Sequence, residues 1–185
     1  MPSDSEDKLL KRVPAIAAIL LGLAAAGCQE TRASRPIADL IVDLPNARKQ
    51  PSETAFEIGD VSIDGISKRA LLADQSTRLT YHVTVPARAR FVVSIGVAPR
   101  VWDASGQGVL FLIGVSDGQW FQTKSSVALE PFTRAGDRTW RDLSVSLEEF
   151  AGLTVDIILN TRPTGPTPGN IGHIAVWGTP LVVVK

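Results

Sequence analysis

Few side chains in this sequence are of the types that carry out chemistry. There is one cysteine, Cys28, and there are two histidines, His82 and His173. A lone cysteine permits neither an intramolecular disulfide nor a cysteine-built metal cluster. His82 falls on the polar side of a predicted strand, a surface position, whereas His173 follows a long loop and is free to meet a ligand. The carboxylates are scattered. Asp103, Asp117, Asp137, Asp142 and Asp156 stand apart, and Glu148 and Glu149 are chain neighbours that point away from each other. Glycoside hydrolysis needs two carboxylates facing one bond, and the spacing offers no such pair. Gly106-Gln107-Gly108 opens a strand and lacks the rest of a dinucleotide fingerprint. Calcium held by loop carboxylates and carbonyls is the one ion worth weighing, and no motif supports it, so no cofactor is expected. An enzyme needs its nucleophile, base or metal set held together. The sequence reads as non-catalytic.

The four tryptophans are more informative. A flat aromatic face packs against the apolar side of a sugar ring, with a few polar groups fixing its orientation. Trp102 lies in a loop between Arg100 and Asp103, and Trp120 follows a hairpin tip marked by Asp117-Gly118. Asn170 ends the longest loop of the domain, Asn160–Asn170, and His173 comes just after it. Arg100, Trp102, Asp103, Trp120, Asn170 and His173 are therefore the candidate ligand-binding residues. Trp140 and Trp177 fall in segments that resemble a known sandwich pattern, and that resemblance implies a place in the core. The prolines and threonines of the long loop suit a rigid crossover as well as they suit a binding loop.

The elements that must position these residues are strands. Leu79, Tyr81, Val83 and Val85 alternate with Thr80, His82 and Thr84, and the same period of two recurs at Phe91–Val97, Leu143–Leu147 and Leu153–Leu159. Val109–Val115 is apolar on both faces, and Leu147–Phe150 is the one helical turn expected in the domain, ended by Gly152. About eight or nine short strands predict an all-β jelly-roll sandwich over residues 55–185. No long amphipathic helix is present, which excludes an α/β enzyme core. Residues 28–54 read as a tether and linker. Within it Pro36 precedes Ile37, Leu40, Ile41 and Leu44 at helical spacing, which predicts a short helix.

Lys8, Lys11 and Arg12 precede an apolar run, Val13–Ala26, too short to span a bilayer as a permanent helix. The stretch Leu23-Ala24-Ala25-Ala26-Gly27-Cys28 resembles a bacterial lipobox. That resemblance implies a signal peptide over residues 1–27, lipidation of Cys28, and an exported, membrane-anchored lipoprotein. Gln29 in place of aspartate implies the outer membrane if the source is Gram-negative. Lys plus Arg and Asp plus Glu both number 19, so the basic footprint of a nucleic-acid binder is missing.

Two further stretches look familiar: Gly108–Gly118, and Trp140-Arg141-Asp142-Leu143-Ser144-Val145-Ser146-Leu147 followed by Phe150-Ala151-Gly152. They resemble galactose-binding-like jelly rolls, including carbohydrate-binding modules and the accessory sandwiches of bacterial sulfatases and glycosidases. Trp177-Gly178 before the last strand fits the same pattern. The resemblance implies a non-catalytic module whose partner is a carbohydrate or glycan. The alternative is a structural lipoprotein that docks on another cell-envelope protein.

Overall fold

The computed structural model describes residues 35–103, 106–165 and 172–184; Cys28 and Asn170 lie outside the described residues, as does the signal segment. Eleven strands form two antiparallel sheets: β1 Arg35–Asp39, β2 Arg48–Gln50, β3 Phe56–Ile63, β4 Ile66–Ala73, β5 Thr77–Thr84, β6 Ala89–Val97, β7 Val109–Ser116, β8 Phe121–Leu129, β9 Arg141–Ser146, β10 Thr154–Pro163 and β11 Ala175–Val184. One sheet runs β3-β4-β11-β6-β9, with β1 also on β11, and the other runs β2-β5-β10-β7-β8. Among the described residues, helix is confined to short 3-10 turns, one of them at Glu148–Phe150.

The period-two segments become strands because one set of side chains can then leave water together. Phe111, Ile113, Val115, Ile157, Leu159 and Leu79 of the five-stranded sheet meet Phe91, Ile95, Leu71, Trp177 and Val182 of the six-stranded sheet in one core. Phe111 and Trp177 join the sheets edge to face, with centroids 5.0 Å apart. Trp140 is buried as expected, but on the outer side of the six-stranded sheet. There it forms a smaller cluster with Val61, Ile63, Ala70 and Val176. Its indole N–H donates to the Ile66 carbonyl at 2.8 Å. Gly96 and Gly178 leave room for the ring: a Cβ on Gly178 would come within 3.0 Å of it.

The structure corrects several expectations, most of them before residue 56. The helix predicted over Pro36–Leu44 is instead β1 followed by a 3-10 turn at Leu44–Asn46. β4 pairs with β11 only over Ala175–Gly178, after which the β11 register shifts, leaving its Leu181–Val184 edge free on that side. β1 takes that edge, so the backbone bonds on offer outweigh a weak local helical pattern. Arg48–Gln50, expected in a solvated linker, is β2 and pairs with β5. The sandwich therefore begins well before residue 55 and holds eleven strands rather than eight or nine. The long loop is also shorter than expected, because Asn160–Pro163 belong to β10.

Turn chemistry is local. Asp64 and Gly65 both have positive φ, as a two-residue primed hairpin between β3 and β4 requires. The β7–β8 connection is built differently. The Asp117 carboxylate accepts the backbone N–H of Gln119 at 2.9 Å and of Trp120 at 2.8 Å, and Gly118 supplies the positive φ.

Candidate functional site

The two outer faces of the sandwich differ. The outer face of the six-stranded sheet carries Trp140 and its cluster, and beside them Lys68, Ser94 and Asp142 are bonded to one another. The outer face of the five-stranded sheet lines a groove of about 660 Å³.

Strand register lays out this second face. From β2 to β8, one row reads Arg48, Thr80, Ile158, Gly114 and Thr123. The next row toward the β7–β8 hairpin reads His82, Asp156, Ser116 and Phe121. The row on the other side reads Gln50, Arg78, Asn160, Leu112 and Ser126, and beyond it stand Arg162 and Leu110. These positions alternate with inward-facing Leu79, Tyr81, Ile157, Leu159 and Ile113. The alternation that builds the core therefore also sets polar groups on the open side.

Phe121 supplies the aromatic surface. It is 56% exposed, and a Cβ on Gly114 would lie 2.3 Å from its ring, so the ring rests on the backbone of β7 where no side chain intervenes. Asp117 fixes the hairpin just before it, and the backbone amides of Trp120 and then Gln119 hold the Asp117 carboxyl below its ordinary range. Ser116, Thr123, Asn160 and Asp156 line the groove around Ile158. His82 Nδ1 lies 2.5 Å from Asp156 Oδ1. The buried Thr80 hydroxyl has no hydrogen-bond partner among the described residues. A second hollow of about 580 Å³ extends the face toward Gln50, Pro51 and Pro163 and shares Arg78, Asn160 and Arg162 with the groove. Such a surface offers a ligand one aromatic plane and several hydrogen-bonding groups. Asp156 is the only carboxylate lining it, and among the described residues no three His, Cys, Asp or Glu side chains converge on a metal position.

The residues singled out from the sequence do not gather there. Trp102 is half buried against both core clusters, donates its indole N–H to the Val97 carbonyl at 2.9 Å, and has the Arg138 guanidinium 5.7 Å from its ring centroid. Arg100 and His173 do come together: Arg100 donates to the His173 carbonyl at 2.9 Å. His173 in turn lies 2.8 Å from the Thr54 carbonyl and 3.3 Å from Glu57. These groups, with exposed Asp103, mark the end of the sandwich where β7 begins, and Trp120 stands at the opposite end, where β7 finishes. Trp120 is 73% exposed, yet it is its neighbour Phe121 that lines the groove. Arg48, Arg78, Asn160 and Phe121 line the groove without any of them standing out in the local sequence pattern. Counting back from the Asp117-Gly118 tip pairs Phe121 with Ser116, which was the available signal for the aromatic.

No family model matches the sequence. An uncharacterised protein of Archaeoglobus fulgidus is 33% identical over 101 residues, 54% of this chain and 25% of that protein. The chain thus spans a quarter of the curated relative it matches. Among solved structures, CBM51 from Clostridium perfringens GH95 in complex with methyl-galactose aligns at a TM-score of 0.54 with 11% identity, over 73% of this chain and 92% of that one. TmCBM61 in complex with β-1,4-galactotriose aligns at 0.52 with 15% identity, over 82% of this chain and 100% of that one. CBM51-2 with INT domains from Clostridium perfringens ZmpB, in complex with GlcNAc, aligns at 0.50 with 15% identity, over 83% and 29% of the two chains. At these identities the likeness establishes the fold alone, a β-sandwich of two antiparallel sheets.

Proposed function

We propose that this chain is a membrane-tethered, non-catalytic module that holds carbohydrate on the open face of its five-stranded sheet. The observation that carries the reading is the Phe121 ring lying over Gly114 beside a polar groove floor. A sugar ring presents an apolar C–H face and a rim of hydroxyls, and this surface offers a partner to each. The sugar-bound state of fold relatives supports the ligand class: one is in complex with methyl-galactose and another with β-1,4-galactotriose. A binding role suits a groove lined by one carboxylate, since a glycosidase places two across the scissile bond.

The tether rests on Cys28. Its place after Leu23–Gly27 makes it the residue that lipid would modify, and several acyl chains on one residue suffice for stable anchoring. The chain is then an exported lipoprotein, on the outer membrane if the source is Gram-negative. A glycan array probed with residues 29–185 tests the ligand class. Binding that Phe121→Ala abolishes is expected, and the absence of any glycan hit would favour docking on an envelope protein instead.

A further inference from the structure

The charges in the groove narrow the ligand class, a step that rests on the carbohydrate reading above. Three guanidiniums line the groove, those of Arg48, Arg78 and Arg162. The register sets them on three adjacent strands in three successive rows, a diagonal stripe across β2, β5 and β10. Diagonal neighbours of this kind stand about 7–8 Å apart. None of the three forms an ion pair or side-chain hydrogen bond within the described residues, which is unusual for this chain. Lys49, Lys68, Arg69, Lys124, Arg134 and Arg141 all lie in ion pairs, while Arg90, Arg100 and Arg138 donate to oxygen acceptors. Apart from Arg88 in the β5–β6 turn, the unpaired cations with described side chains are the three in the groove.

Overall, acidic and basic residues balance at 19 each, so this local excess is not a by-product of a basic protein. Asp156, the only groove carboxylate, stands two rows from Arg78, and its Oδ1 lies 2.5 Å from His82 Nδ1. Three like charges at this spacing repel one another, and a guanidinium fork fits a carboxylate or sulfate oxygen pair. We infer that the glycan held on this face is anionic, a uronate or sulfated polysaccharide. Its sugar ring stacks on Phe121 and its acidic groups run along the stripe Arg48–Arg78–Arg162.

The test measures affinity for polygalacturonate, chondroitin sulfate and heparin. Each is set beside a neutralised counterpart, methyl-esterified or desulfated and carboxyl-reduced, with neutral galactan and xylan included. The acidic members should bind, their neutral counterparts should bind at least about tenfold more weakly, and added salt should erode the difference. Arg78→Ala and Arg162→Ala should each weaken binding on the order of ten- to a hundredfold, as loss of a charge-assisted hydrogen bond does. Both variants should melt no earlier than the parent, and Arg88→Gln should change nothing. Equal affinity for charged and neutral counterparts, or arginine variants that bind as the parent does, would overturn the anionic assignment while leaving the carbohydrate reading intact. Loss of binding in Phe121→Ala but not in the arginine variants would do the same. If no polysaccharide of either kind binds, both readings fall.

Discussion

Phe121 is the aromatic that lines the groove, whereas Trp102, a candidate ligand residue on its sequence context, is half buried. Trp102 sits in a polar loop between Arg100 and Asp103, a context in which an aromatic residue reads as ligand-facing. In the fold its ring packs on both core clusters and its N–H is satisfied by Val97. Trp102→Ala should therefore cost on the order of 2–3 kcal/mol, less than the ~3–5 kcal/mol of a fully buried aromatic. Thermal or chemical unfolding checks this, and an unchanged midpoint would show that the packing contributes nothing. Asp117 gives a sharper residue-scale test. Its carboxyl titrates below the ordinary value of 3.8 because the folded hairpin donates two backbone N–H groups to the ionised form. A lowered value means that the carboxylate's hold on the tip is complete above the ordinary range and is lost as pH falls through the lowered one. The amide resonances of Gln119 and Trp120 should titrate together with a midpoint below 3.8. They should stop doing so in Asp117→Asn. A midpoint at or above the ordinary value would contradict the arrangement.

At the scale of elements, legibility followed the strength of the local pattern. Strands with one wholly buried face, such as β5, β6, β7 and β10, were readable because a one-residue slip would turn their apolar side chains outward. β1 and β2 were not, since five and three residues are too few to show a period. What determines them is elsewhere in the chain: the free edge of β11 and the outer edge of β5. A chain beginning at residue 55 would uncover both edges and remove the buried Leu40 from the core. It should melt earlier and aggregate more than one beginning at residue 32, as light scattering on heating would show; identical behaviour would make β1 and β2 dispensable. Gly114 makes the corresponding prediction for β7. Gly114→Ala puts a methyl group where the Phe121 ring lies, and because that ring is exposed it moves rather than the sheet. Ligand binding should fall with little change in melting temperature, and a large loss of stability would show the ring to be held in place more firmly than its exposure implies.

Over the whole molecule, the two sheets divide the labour. The six-stranded sheet closes its outer face with Trp140 and a bonded Lys68–Ser94–Asp142 group, and the five-stranded sheet keeps its outer face open. The fold class was legible in the sequence, whereas the choice of face was not. Arg48, Thr80, Ile158 and Gly114 share a row only through the pairing of four strands whose order no local pattern announces. The proposed anchor is independent of this division. Cys28→Ser should abolish palmitate labelling and release the protein from membranes while leaving glycan affinity unchanged; continued labelling would refute the anchor. The central claim, that ligand sits on the open sheet face, is met most directly by titrating an array hit into isotopically labelled residues 29–185 and mapping the perturbed resonances. Shifts are expected at Gly114, Ser116, Phe121, Ile158 and Asn160, with none at the far end of the sandwich. Shifts clustered instead at Arg100, Trp102, Asp103 and His173 would contradict it and place the ligand among the loops.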